Sequence, residues 1–207
     1  MKNFNLSLKA VAAAALLATV GSSAMAQVSG SFACITNNSA ASCAQGTALS
    51  WSWTGTVFTI INAAIGGGYN GYVAEVYFDL TSPMAVSFTS GASSAGVSFT
   101  LGASPPSLPG GSSYGFFSDA AFDSDLRRSA PTMGIDPGER AAFTFTGAAL
   151  SSFDIGTLAS GVHVRRLFNG QSESFVTTAI PEPSTYALML AGLGAVGFIA
   201  RRRRIPT

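Results

Sequence analysis

Of the 207 residues, 10% are Asp, Glu, Lys or Arg, 47% are apolar and 23 are glycine, where an ordinary soluble domain carries about a quarter charged residues. One histidine and two cysteines leave little material for metal-binding or acid–base chemistry, so no catalytic group, metal site or cofactor is expected. The formal charge of +1 hides a segregation: residues 27–179 hold nine carboxylates, five arginines and no lysine, a net charge of about −4 that disfavours nucleic acid as a partner.

At the start of the chain, Lys2 and Lys9 precede an apolar run over residues 10–20, and Ala24 and Ala26 follow in an A-x-A pattern. A basic start, a short apolar stretch and a small-residue cleavage site predict a secretory signal peptide over residues 1–26. It would be read by the Sec translocon and cut by signal peptidase after Ala26. The apolar run is shorter than the roughly 20 residues a membrane span needs.

Cys34 and Cys43 lie in the exported part, separated by a polar stretch (ITNNSAAS) that can close a loop. An oxidising compartment predicts a structural disulfide between them.

Beyond them, period-2 alternation dominates. In 72–79, Tyr72, Ala74, Val76 and Phe78 are expected on one face and Val73, Glu75, Tyr77 and Asp79 on the other. Val86 and Phe88, then Val97, Phe99 and Leu101, then Phe143 and Phe145 alternate with Ser and Thr, and Val162 and Val164 with His163 and Arg165. Residues 50–61 and 174–178 are further strand candidates, each run being bounded by Gly, Pro, Ser or Asn. Residues 104–113 (SPPSLPGGSS) read as a loop, and 148–158 as a short helix. At least seven short strands predict a mostly β fold, an antiparallel β-sandwich of jelly-roll type, formed by one domain over 27–179. Trp51 and Trp53 share a strand face and are expected in the core, although the same spacing suits a platform for sugar rings.

Three stretches match motifs that carry chemistry. Gly66, Gly68 and Gly71 fit G-x-G-x-x-G, but a dinucleotide fingerprint needs a helix next, and 72–80 reads as a strand. A Gly-rich turn feeding a hairpin is expected. Gly111, Ser113 and Gly115 fit G-x-S-x-G, with His163 following in hydrolase order, but Pro105, Pro106 and Pro109 spoil the strand that a nucleophile elbow requires. An exposed or lightly packed His163 is expected instead. Asp119, Asp123, Asp125 and Asp136 are oxygen donors of the kind that bind calcium. The stretch lacks the Gly and closing Glu of an EF loop, and Arg127 and Arg128 compete for its charge, so a solvated loop is expected.

The tail carries a second apolar block. Residues 186–200 hold no charge, and Arg201, Arg202, Arg203 and Arg204 follow at once. At about 1.5 Å per residue such a helix extends about 22 Å. Ser184, Thr185 and snorkelling arginines make up part of the roughly 30 Å bilayer core. A membrane helix over 185–200 is expected, with the arginines cytoplasmic. Just before it stand Pro181, Glu182 and Pro183. Each proline fixes its own φ and biases its predecessor toward extended backbone, which a processing enzyme can grip.

Pro-Glu-Pro, a short Gly- and Ala-containing apolar helix and an arginine cluster, in that order, resemble the PEP-CTERM sorting signal, here over residues 180–207. Ile180 stands where the commonest form has Val. The resemblance implies a substrate of exosortase, an integral-membrane cysteine transpeptidase-like enzyme of Gram-negative bacteria that usually make exopolysaccharide. Pro181, Glu182 and Pro183 would be the recognition motif, the helix a transient inner-membrane anchor and Arg201 to Arg204 the membrane stop. No Leu-Pro-x-Thr-Gly occurs, which argues against the sortase route of Gram-positive bacteria. The expected protein is non-enzymatic and ends at the cell surface or in the extracellular matrix, associated with exopolysaccharide and biofilm. The alternatives are a secreted carbohydrate-binding module and a secreted serine hydrolase.

Overall fold

Strands form where aromatic and β-branched residues alternate with Ser and Thr, side chains that pack on a pleated surface. The computed structural model describes residues 28–80, 84–124, 133–147, 158–178 and 191–193. Among them run ten strands: β1 Val28–Cys34, β2 Leu49–Thr54, β3 Val57–Asn62, β4 Tyr72–Asp79, β5 Ala85–Phe88, β6 Phe99–Leu101, β7 Ala120–Ser124, β8 Glu139–Thr146, β9 Ala159–Arg165 and β10 Glu173–Thr177. One short helix, α1 Ala40–Ala44, follows β1 and is capped by Ser39, whose hydroxyl accepts the Ser42 N–H.

All strand pairs are antiparallel, in the order β5-β8-β3-β2-β1-β10-β9-β4-β7-β6. β1 joins two halves: Val28 to Ser31 pair with β2, and Phe32 to Cys34 with β10. The ends of the series approach through rings, with Phe88 of β5 and Phe99 of β6 at 5.8 Å between centroids. The result is a nearly closed sheet around an aromatic core of Trp51, Trp53, Phe58, Phe78, Phe122, Phe143, Phe145 and Phe175. A smaller cluster of Tyr77, Ala103, Leu108 and Phe116 lies on the other face of β4, beneath the proline-containing loop. That second cover is why nearly all of β4 is buried on both faces.

Several sequence expectations need correction. Residues 50–61 are not one strand but the hairpin β2–β3, because Gly55 (φ 61°) turns the chain. The alternation in β4 slips at a bulge between Val73 and Glu75, so Val73 joins Val76 and Phe78 in the main core. The acidic stretch is no loop: Ala120–Ser124 is β7, held between β4 and β6. The Gly66–Gly71 stretch enters strand β4, but no hairpin forms, because β3 pairs with β2 and β8 while β4 pairs with β7 and β9. Both tryptophans are buried, Trp53 to 1% exposure, so neither offers a face to a sugar. Gly30 lies opposite Trp51, where an added Cβ would sit 2.7 Å from the indole.

The signal-peptide site Ala24 and Ala26, Asp125, the arginines Arg127 and Arg128, most of the 148–158 helix, Pro181, Glu182, Pro183 and Arg201 to Arg204 lie outside the described residues. So does most of the 185–200 segment, of which residues 191–193 are helical and exposed. Among the described residues no helix is long and apolar enough to cross a membrane.

Cys34 at the end of β1 and Cys43 on α1 form a disulfide with Cα atoms 5.5 Å apart. Closing so short a loop stabilises the fold by about 2–3 kcal/mol. The double variant Cys34→Ser/Cys43→Ser should therefore unfold at a lower urea midpoint with an equal m-value, and an unchanged midpoint would deny the bridge that role.

Candidate functional site

Three buried polar centres organise the domain. The first is a charged row across neighbouring strands. Glu75 of β4 is fully buried, with Asp123 of β7 and His163 of β9 as its cross-strand neighbours. His163 Nδ1 lies 2.8 Å from Glu75 Oε2, and the Arg165 guanidinium donates to Oε1. The His163 side chain is 13% exposed, and the histidine expected to be exposed or lightly packed is a partner to a buried carboxylate. Ser174 of β10 lies opposite His163, which puts serine, histidine and glutamate in one row. Yet the Ser174 hydroxyl is fully buried and makes no hydrogen bond to a described group. There is thus no serine–histidine contact of the kind a nucleophile needs.

The second centre is Glu173, also fully buried. Its carboxylate accepts from the Thr36 hydroxyl (2.6 Å), the Asn38 N–H (3.0 Å) and the Ser39 N–H (2.8 Å). It pins the segment between the two cysteines. Cys34, Cys43 and Glu173 are the one grouping of three metal-ligand residue types among the described residues. With the sulfurs joined to each other and the carboxylate taken by donors, that grouping is a structural clamp.

The third is Asn62. Its amide donates to the Gly71 and Ile135 carbonyls at 2.8 and 2.9 Å and accepts from the Tyr69 hydroxyl at 2.8 Å. It ties the second half of the Gly-rich loop, at Tyr69 and Gly71, to the sheet.

Tyr69 and Tyr77 feel these centres. Burial pushes the Tyr69 phenol up to about 12, and its hydrogen bond with Asn62 works the other way. Burial, then the charges of Glu75 and Asp123, push Tyr77 above the usual range, while Arg165 pulls it down. Tyr77 donates to the Pro105 carbonyl at 3.0 Å. In both, the folded pKa exceeds the unfolded value of about 10, so the folded chain keeps protons that the unfolded chain loses. Their contribution is fully present below about pH 10; that of Tyr69 is lost as pH rises towards 12, and that of Tyr77 persists to higher pH. The melting temperature should fall across that window together with rising phenolate absorbance, and Tyr69→Phe should flatten part of the fall.

The sequence motifs separate in space and chemistry. Gly66, Gly67 and Gly68 take left-handed φ of 74°, 65° and 77° and lead into β4 rather than a helix. Gly111–Tyr114 is one 3-10 turn following a loop, with Ser113 exposed. Asp119 accepts the Leu80 N–H at 2.7 Å and serves the chain turn there, while Asp123 stands beside Glu75 on the sheet. Sequence reasoning missed Glu75, Glu173 and Asn62 as centres. The available signal was a carboxylate inside an otherwise apolar strand, with His163 and Arg165 two apart on another.

The tail is the remaining candidate, and its chemistry is linear: two prolines around a glutamate, an apolar block and four arginines. Residues 179–204 match the PEP-CTERM protein-sorting motif. The match spans the Pro-Glu-Pro, the apolar block and the arginines. A PEP-CTERM tail marks an exported protein whose membrane-anchored sorting signal is processed by exosortase. No family is assigned to the rest of the chain. No curated protein and no solved structure matches it.

Proposed function

We propose that the protein is a non-enzymatic component of the cell surface or extracellular matrix of a Gram-negative bacterium, delivered through its PEP-CTERM tail and associated there with exopolysaccharide and biofilm. The match at residues 179–204 carries this reading. Residues 1–26 serve as a signal peptide for Sec and signal peptidase. Residues 185–200 anchor the chain briefly in the inner membrane, Arg201 to Arg204 hold it, and Pro181 to Pro183 are the motif that the processing enzyme recognises. The domain over 27–179 acts as a sandwich-type scaffold for weak contacts with matrix polymers. Burial of Trp51 and Trp53 removes the tryptophan version of the carbohydrate-binding alternative.

The intact mass of the mature protein, with its terminal peptides identified, tests the route. A chain starting at Gln27 and lacking the residues beyond about Ser184 is the expected result. A chain that keeps Arg201 to Thr207 and stays in the inner-membrane fraction would overturn it in favour of a tail-anchored protein.

A further inference from the structure

The Gly-rich loop before β4 and the turn after β9 meet beside Gln45 and enclose an open cleft of about 310 Å³. That is the lower end of small-ligand sites, room for about one sugar ring. Gln45, Asn70, Arg166, Phe168 and Asn169 line it, with bare backbone from Gly67 and Gly68, where an added Cβ would meet nothing. No carboxylate is in the lining.

Arg166 and Asn169 both hold a φ of 58°. Asparagine tolerates the left-handed region, but arginine there is uncommon and is kept only where the surroundings impose it. The Arg166 guanidinium sits 5.1 Å over the Tyr72 ring. Among the described residues both ion pairs go to Glu75, from His163 and Arg165, and none involves Arg166. Arg166 thus lines the cleft with no carboxylate partner among the described residues. Phe168 leaves half its surface exposed. Its backbone is nonetheless fixed, the N–H donating to Gln45 Oε1 at 2.8 Å and the carbonyl accepting from Ser42 Oγ at 3.4 Å. Asn62 and Tyr69 hold the opposite wall.

We infer that this cleft binds a carboxylate-bearing sugar residue, a uronic acid unit of an acidic polysaccharide. A guanidinium pairs with a carboxylate through two parallel hydrogen bonds. Side-chain amides, each both donor and acceptor, suit neighbouring hydroxyls. An exposed aromatic ring receives the C–H face of a pyranose. With a net charge of about −4 on the domain as a whole, an acidic polymer is repelled elsewhere and held at this point. The inference rests on the reading of the domain as polymer-associated and names the chemistry of that association.

The test is calorimetric titration of the full chain in mild detergent with tri-galacturonate, maltotriose and succinate. Tri-galacturonate should bind saturably, and more tightly than either of the others. Arg166→Gly suits the φ of 58° and so keeps the fold, as an unchanged melting temperature checks. It should weaken tri-galacturonate about tenfold or more, the loss of one charge-assisted pair, and Phe168→Ala should weaken it as well. Equal binding by wild type and Arg166→Gly would overturn the site, as would succinate binding as tightly as the sugar acid. Retention of the protein on secreted polysaccharide separates the two readings. Retention with a silent cleft overturns the site and leaves polymer association standing. A cleft that titrates in a protein that is not retained supports the site and overturns the association.

Discussion

Phe78→Ala should destabilise the domain by about 3–5 kcal/mol, the range for truncating a buried phenylalanine without relaxation of its surroundings. Phe78 is fully buried on β4. Its ring centroid lies 5.6 Å from Phe58, 6.1 Å from Phe122, 5.3 Å from Phe143 and 5.1 Å from Phe145, all close to edge-on. These partners come from β3, β7 and β8, so one side chain joins the two halves of the sheet that, among the described strands, are linked in the strand order through β1. Edge-to-face pairs add about 0.5–1.5 kcal/mol each beyond area burial, and the four cannot re-form around a methyl group. Equilibrium urea unfolding would measure the loss. Leu101→Ala, at a side chain 70% exposed on β6, should stay within about 0.5 kcal/mol. Similar losses at both positions would mean that the core is not organised around Phe78.

The second large effect concerns a charge. Removing both partners of Glu75, as His163→Ala/Arg165→Met, should cost about 3–5 kcal/mol by leaving an uncompensated carboxylate in the interior. Glu75 has no solvent exposure, and the neighbouring Asp123 adds charge of the same sign. Arg165 is about one-third exposed, so its single replacement should cost less than the pair. Adding Glu75→Leu to the double variant should recover most of the loss, because an apolar side chain of similar length needs no partner there. A triple variant no more stable than the double would show that the partners act through packing, not charge.

Much of this was legible in the alternation of side chains. The pattern Phe143-Thr144-Phe145-Thr146 marks a strand with one apolar face, and β8 buries Phe143 and Phe145 in the main core. Trp51 and Trp53, two apart, both turned inward. The three prolines between residues 105 and 109 kept that stretch out of the strands. Each of these signals is local: side-chain period and proline stereochemistry act within a few residues.

What escaped was decided at longer range. β7 reads as polar because Asp119 precedes it and Asp123 lies within it, yet it pairs between β4 and β6 and buries Phe122. The bulge in β4 shifts the facing of Val73 without any trace in composition. The alternation placed Glu75 on a face with Val73, Tyr77 and Asp79 and gave no sign that His163 and Arg165, about ninety positions away, would lie beside it.

The sequence by itself determined the route and the class. Export, tail processing and a β-rich domain follow from linear motifs and from a period of two, which need no partner elsewhere in the chain. The disulfide also follows, from there being two cysteines and an oxidising destination. Only the tertiary structure decided the strand order, the burial of Glu75 and Glu173, and the cleft around Arg166. Each depends on which segments lie side by side, and that is set by the joint burial of rings contributed from β2 to β10, not by any segment's own preference.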